Sequence, residues 1–447
     1  MGKCKYLTCE YLHLDFTGSS HNNLFLLLGS LFSVARPDSG LGGPLRPPNL
    51  SLRKERNPMF PRRKVVLLFA LLLLVSASAL FSAEPNAASF VDPTARVIGK
   101  VNLGHKVYVA PFAILDGSKN EISVGDETDV QDNVQVDATN GPIKFGSETI
   151  IAHGATVTGG ASIGIGGKCN DDSHDSPSTA CPSFVGFNAV VDGAIIQMNA
   201  MVTHLARVGP GVTIPSGRKV KPGKWVRSND EVESKTDEVT KEDRKFMHDV
   251  VHVNVAFAEE YPKLAKENRT NVRGINYNPS TEFNEQSRLP TLEGVPTRDP
   301  GFRNRIIGDV KIKKDNLGQL NKVMGSQISL RADEGHPFEV DSIAEMSDHV
   351  TFHALEFTSM HLGANGTYGP YSLVHGGELK EDRSITKTGD NVTLGAHVVF
   401  FRSTIGANST VGDRSLVQDS VLPANTVIGR CEVWLNGEFA WKVEWCP

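Results

Sequence analysis

From about residue 90 the aliphatic positions recur every six residues. Val97, Leu103, Val109 and Leu115 are spaced by six, and Val101, Val107 and Ala113 fall four after the first three. Gly or Ala often follows the first position, as at Gly104, Ala110, Gly125, Gly146 and Gly186. An amphipathic helix would need a spacing near 3.6 and a half-buried strand a spacing of 2. A period of six with a small residue after each aliphatic predicts a hexapeptide β-helix. Each hexad makes one short strand and a turn. Three hexads close a triangular coil, the aliphatics point inward and the coils stack. Asp and Asn beside the glycines suit corners that need positive φ.

The coils run to about residue 226, ending in VTIPSGRKVKPGKWV. An acidic, Lys-rich run over 229–245 follows and reads as a solvated face. Phe246, Met247, Val250, Val251, Phe257, Tyr261 and Leu264 then recur at threes and fours. That spacing predicts an amphipathic helix of about 25 residues, packed along the flank of the β-helix. Residues 267–300 are polar and Pro-rich and read as a linker. Hexads restart at Ile306 and Val310, which echo Val97 and Val101. Leu394 with Phe400, and Ile405, Val411 and Val417, continue them. The chain is therefore expected to hold two β-helices, at 88–266 with its helix and at 301–430. Residues 431–447 form a closing hairpin, in which Asn436-Gly437 between apolar runs is a type I′ turn signal.

Composition narrows the classes. The formal net charge of −5 gives no basic footprint for nucleic acid. Forty-two glycines and few aromatics favour a turn-rich β architecture. Met59-Phe-Pro-Arg62-Arg63-Lys64, the apolar run Val65 to Val75 and Ala77-Ser78-Ala79 make a signal peptide over 59–79. Residues 1–58 fit poorly ahead of it and read as an overlong gene model. The expected address is the secretory pathway, extracellular or lumenal. The alternatives are a complex plastid or a membrane anchor formed by residues 65–80. Cys169 with Cys181, and Cys431 with Cys446, form two local pairs that suit an oxidising compartment. Asn268, Asn365, Asn391 and Asn408 head glycosylation triplets.

Candidate chemistry lies in the second copy, within SLRADEG, VTFHALEF and SLVHGG. Arg331, Asp333, Glu334, His353, Glu356 and His375 stand there on strand-like segments. Imidazoles with carboxylates nearby are what a metal-activated water with a proton acceptor requires. The structural alternatives are an interfacial Arg331–Asp333 ion pair, a solvated Glu334 and two hydrogen-bonded, metal-free histidines.

These strings, with VDPTARVIGKVNLG, VGDETDVQDNVQV, TIIAHGATVTG and VVHVNVAFAEEY of the first copy, resemble the γ-class carbonic anhydrases. The resemblance implies an all-β fold of two left-handed parallel β-helix domains, the first followed by the long helix. It also implies hydration of CO2 at a zinc or iron ion held by three histidines, two from one subunit and one from its neighbour. In the first copy the ligand positions hold Asp137, His153 and Thr158. The Arg, Asp and Glu positions hold Asp116, Ser118 and Lys119, while Gln131 and Asn254 match. In the second copy Arg331, Asp333 and Glu334 match, as do His353 as first ligand, Glu356 after it and His375 as second ligand. Glu334 would carry protons and Glu356 would order the attacking group. The third ligand falls on Lys380 or Arg383, neither of which can replace an imidazole. His361 and His397 are nearby spares. The site is expected between chains, with His353 and His375 on facing surfaces of a homotrimer. A pseudo-hexameric pairing in which the two copies pool residues would complete the set. CO2 and bicarbonate are the implied ligands. A catalytically degenerate β-helix scaffold for an assembly is the second reading, and a hexapeptide acyltransferase the third.

Overall fold

The computed structural model describes residues 89–169, 181–267, 304–308, 310–312, 320–334, 338–355, 358–377 and 386–447. The segment read as a signal peptide, the residues before it, most of the segment read as a linker, Asn268, Glu356, Lys380 and Arg383 lie outside them. Both copies fall in one compact unit.

The first copy is a parallel β-helix with three faces. Its first face runs from Phe90–Val91 through Asp129–Val130, Thr149–Ile151 and Ser183–Val185 to Arg218–Val220, and the antiparallel strand Thr236–Glu238 closes it. The second face includes Gln135–Asp137, Thr156–Thr158 and Val190–Asp192. The third includes Ile143–Phe145 and Ser162–Ile163. The long strand Ile114–Val124 joins the second and third faces into one sheet. The hexad aliphatics Val107, Val109, Ala113 and Leu115 are fully buried, in one core with Val130, Val136, Ile151 and Val157. Each buried Val, Leu or Ile side chain contributes about 1.5–3 kcal/mol by leaving water. Val97 departs from the pattern and is 41 % exposed. Its strand belongs to the first coils and pairs on one side only. Coil stacking explains the small residues. A Cβ on Gly146 would lie 2.1 Å from the carbonyl oxygen of Gly164 in the next coil.

The second copy repeats the design. Its first sheet runs Arg305–Gly308, Ser329–Ala332, Thr351–His353, Leu373–His375, Val399–Phe401, Leu416–Gln418 and Glu432–Leu435, closed by the antiparallel strand Glu438–Lys442. The turn between the last two strands carries Asn436 at φ 53° and Gly437 at φ 82°, the signs a type I′ turn needs. Both cysteine pairs are disulfide-bonded.

The glycosylation triplets of this copy have an architectural origin. Asn365, Asn391 and Asn408 all sit at corners with φ between 55° and 59°. Their side-chain amides stack into a ladder, with Asn365 donating to Asn391 and Asn391 to Asn408. The threonines two residues on, Thr367, Thr393 and Thr410, pair in register on the adjoining strands. Asn at a left-handed corner followed by Thr on an outward strand position therefore suits the β-helix itself.

The two copies pack side by side. Ile150, Phe184, Phe187 and Met201 of the first share one apolar cluster with Leu373, Val399, Phe401 and Val433 of the second. Helix α1 (Lys241–Glu267) covers the first face of its own copy, and it also reaches this seam. Met247, Val250 and Val251 join the cluster, while Val253, Phe257 and Tyr261 pack with Tyr108 and Ile307. Arg305 Nη2 bonds Asp92 Oδ2 across the seam at 2.8 Å, with both side chains buried. The closing hairpin bonds back to the first copy through Trp441 Nε1 to the Pro222 carbonyl (2.8 Å) and Trp445 Nε1 to the Leu205 carbonyl (2.6 Å).

Candidate metal centre between the two copies

Arg331, His353 and His375 stand on successive rungs of the second copy's first sheet. Arg331 pairs in register with His353, and His353 with His375. Both imidazoles therefore project from one face, which corrects the expectation that they sit on facing surfaces of different chains. The first copy has the same ladder on its second face. There Asp116 pairs with Asp137, and Asp137 with Thr158. Rung for rung, His375 takes the position of Thr158. It is thus the third ligand position, and the assignment of His375 as second ligand is corrected with it. The spacing carried this signal, because Thr158 lies 21 residues after Asp137 and His375 lies 22 after His353.

The second ligand position stands on a different column, at a corner. In the first copy the corner column is Asp132, His153, Phe187 and His204, each followed by a residue at positive φ: Asn133, Gly154, Asn188 and Leu205. Backbone bonds link the rungs, from Gly154 N to Asp132 O and from Asn188 N to His153 O. In the second copy the matching corner before Tyr371 is Pro370, linked to His397 N in the same way. Each copy thus lacks what the other keeps. The first holds the corner histidine, and the second holds the two ladder histidines.

The seam brings these halves together. His153, His353 and His375 are buried, and one ligand atom from each lies within 4.8 Å of the others. Their ring centroids are 5.0–5.3 Å apart. Each ring turns one nitrogen outward to an acceptor. His153 Nδ1 faces Asp132 Oδ2 at 3.0 Å, His353 Nε2 faces Glu334 Oε1 at 2.9 Å, and His375 Nδ1 faces the Gly376 carbonyl at 2.9 Å. With the protons on these outer nitrogens, the inner lone pairs converge. His153 Nε2 and His353 Nδ1 stand 3.1 Å apart. One proton shared between them makes this contact a hydrogen bond, and a divalent ion in its place would take both lone pairs. Once His353 gives up its second proton, three imidazoles with outer acceptors fit a divalent cation of the zinc or ferrous type. Burial holds His153 down at about 4, against the pull of Asp132. Burial and the two neighbouring rings hold His375 well below the usual imidazole range. Burial and Arg331 push His353 down, but Glu334 and Asp333 outweigh them and raise it to about 9.

Arg331 knits the seam beneath the histidines. Its Nη1 bonds Asp132 Oδ2 of the first copy at 2.8 Å, and its Nε bonds Asp333 Oδ2 at 3.0 Å. Its guanidinium lies 5.5 Å from the Tyr108 ring and 5.1 Å from the Phe257 ring. Tyr261 of helix α1 donates to Asp333 at 2.7 Å. Asp132 joins Arg331 to His153, a role the sequence reading missed although it singled out the neighbouring Gln131. Burial favours the neutral acid, yet Arg331 and His153 hold the Asp132 carboxyl far below its ordinary value.

A cavity of about 150 Å³ opens onto His353 and His375. Gln131, Asn254 and Glu334 form polar parts of its wall, and Phe184, Phe187, Phe246, Val250, Val253 and Leu355 the apolar ones. The backbone N–H of His153 donates to Gln131 Oε1 at 3.3 Å, and Gln131 Nε2 donates to Asp129 Oδ2 at 2.9 Å. The degenerate positions take no part. Asp116 accepts from Ser118 N, Asp137 from Thr139 N, and Thr158 bonds Asp192, all on the second face. Lys119 is exposed. Of the spare histidines, His361 faces Asp341 at 3.3 Å and His397 stacks on Tyr371.

No family model matches the chain. A carbonic anhydrase of Methanosarcina thermophila is 30% identical over 211 residues, 41% of this chain and 78% of the relative. The chain belongs to the γ-class carbonic anhydrase family. Gamma carbonic anhydrase 2, mitochondrial, of Arabidopsis thaliana is 34% identical over 141 residues, 31% of this chain and 47% of the relative. The carboxysome assembly protein CcmM of a Nostoc species is 25% identical over 201 residues, 41% of this chain and 32% of that relative. Membership of the family implies a metal, and the buried histidine triad is where the described residues could hold one.

Asp129 adds a pH dependence to this family member. Burial raises its carboxyl to about 8, against the opposing pull of Gln131 and Arg331. An unfolded Asp titrates near 3.9, so the folded state binds the extra proton between those values. The contribution of Asp129 to stability therefore falls as pH rises from about 4 to 8. The variant Asp129→Asn is expected to be more stable than wild type at pH 8, by about 1–3 kcal/mol, with the difference shrinking toward pH 5. Urea unfolding at both pH values checks this. A difference that grows toward pH 5 would contradict it.

Proposed function

We propose that this protein catalyses the reversible hydration of CO2 at one metal ion held by His153, His353 and His375 between the two copies of a single chain. The convergence of three inner imidazole nitrogens, each oriented by an outer acceptor, carries the reading. A bound zinc or ferrous ion would supply the Lewis acidity that brings the pKa of water toward neutrality. The apolar wall of Val250, Val253, Phe187 and Leu355 offers CO2 a dry surface. Gln131 and Asn254 orient the polar end of the substrate, and Glu334, 2.9 Å from His353, takes up the proton released on hydration. Bicarbonate leaves by the same cavity. The reading needs no second chain, because the ligand that the family resemblance assigns to a neighbouring subunit would come here from the first copy. Export along the secretory route is part of the proposal, and the two disulfides support it.

The test joins metal analysis to stopped-flow CO2 hydration on residues 80–447. The expected result is about one metal per chain, with activity lost on chelation and restored by zinc or by ferrous iron under anoxia. Metal content near zero after attempted reloading would sink the proposal. It would favour the second reading, a scaffold of the same family. The observation behind that alternative is the loss of imidazoles from the Asp116–Asp137–Thr158 ladder.

A further inference from the structure

We infer that His204 is a positioning residue for the metal centre, acting on His375 through the ring of Phe187. The inference rests on the metal site of the proposed function and concerns how one of its imidazoles is held. The outer acceptors of the three ligands differ. His153 faces the Asp132 carboxylate and His353 the Glu334 carboxylate, but His375 faces the carbonyl of its own neighbour, Gly376. The outer torsion of a histidine side chain is broad, so ring contacts must set the plane of His375. Those contacts come from both copies. Phe187 of the first copy stacks on His375 with centroids 4.8 Å apart and planes 24° apart. Phe401 of the second meets His375 edge-on at 5.4 Å and 88°. All three side chains are buried. Phe187 is itself set by His204, the next member of its corner column. The two rings stack at 4.3 Å and 9°, and the Phe187 N–H donates to His204 Nδ1 at 3.1 Å. His204 thus holds Phe187 by its ring and by its backbone at once. A flat ring that carries an acceptor is what histidine offers there and phenylalanine does not. Burial and the nearby Arg402 hold His204 down at about 3, so Nδ1 keeps its lone pair across the neutral range. Phe401 closes the stack from the other copy, edge-on to Phe187 at 5.4 Å and to His204 at 5.3 Å. Tilting Phe187 would break these ring contacts together, and His375 would lose the surface that fixes its plane.

The experiment measures zinc affinity by chelator competition and the visible ligand-field bands of the cobalt(II)-loaded protein. It compares wild type with Phe187→Leu, His204→Ala, His204→Phe and Met201→Ala. Met201 lies in the same apolar cluster and controls for loosened packing. Phe187→Leu and His204→Ala are each expected to weaken zinc binding about three- to ten-fold, the worth of a ring contact. Both shift the cobalt bands, because His375 no longer holds its angle to the ion. His204→Phe keeps the stack but loses the acceptor, and gives a smaller shift in the same direction. Met201→Ala lowers stability in urea, yet leaves zinc affinity within about two-fold of wild type and the bands in place. Unchanged cobalt bands in both Phe187→Leu and His204→Ala overturn the inference. So does an equal loss of affinity in Met201→Ala, which would assign the effect to a loosened seam. Wild-type protein that takes up no metal would overturn the proposed site and this inference with it. Wild type that binds metal while the variants match it would overturn the role of His204 alone.

Discussion

His153→Ala is expected to abolish metal binding and CO2 hydration as completely as His353→Ala, although His153 belongs to the copy that has lost its other ligand positions. The reason is the seam. His153 supplies the single nitrogen that faces the ladder pair, at 3.1 Å from His353. Two imidazoles on adjacent rungs make a weak site for a divalent ion, whereas three close a tetrahedral set with one open position. Loss of an outer-shell partner alone weakens metal binding about 10–100-fold, and loss of a ligand costs more. Zinc competition and stopped-flow hydration on His153→Ala, His353→Ala and His375→Ala should give one common phenotype. The converse follows from the same geometry. Thr158→His restores an imidazole on the second face of the first copy, away from the seam, and is expected to leave metal stoichiometry at one per chain. Full metal retention by His153→Ala would show that the second copy holds the ion with ligands of its own.

Arg331→Ala is expected to destabilise the fold by about 3–5 kcal/mol, the usual cost of removing one partner from a buried charge network. Arg331 has 1 % exposure and serves Asp132 from one copy and Asp333 from the other. Without it two carboxylates remain buried side by side, with only Ser329, Tyr261 and the histidines to bond them. The pH dependence follows from the sign of the shifts. Burial would raise both acids, but Arg331 and the histidine partners outweigh it and lower them. Their contribution to stability is therefore present above about pH 4 and lost as pH falls through the folded values. In Arg331→Ala that contribution disappears, so the deficit should hold from pH 7 to about pH 4 and shrink as pH falls below 4. Urea unfolding across this range measures it. The triple variant Arg331→Met, Asp132→Asn, Asp333→Asn should recover much of the loss, because neutral groups no longer need a counter-charge. A deficit below about 1 kcal/mol at pH 7 would mean that the network is solvated and carries no such load.

Much of the fold was legible in the residues. The six-residue period required a β-helix because helix and plain strand have other periods, and it restarted after the linker. The pattern of threes and fours from Phe246 to Tyr261 gave helix α1. Asn436-Gly437 gave the hairpin, since both residues accept positive φ. Site residues were legible as types: two histidines on apolar strands, with Arg331, Asp333 and Glu334 ahead of them. Their grouping was not. His375 was matched by local resemblance to a corner ligand, and the missing third ligand was then sought beyond it at Lys380 or Arg383. Strand register decides otherwise, because His353 and His375 are neighbours across one coil and share a face. Asp132 went unnoticed for a related reason. Its partners, Arg331 and Ser329, lie about 200 residues away, and only the seam makes it their acceptor.

The sequence by itself determined the coil, the duplication, the helix and the stock of imidazoles, because each follows from short-range spacing and side-chain size. The tertiary structure decided which histidines meet. That depends on how two triangular prisms set their faces together, a matter of seam packing and one buried guanidinium. Three ligands separated by up to 222 positions become a single centre only when that seam is closed.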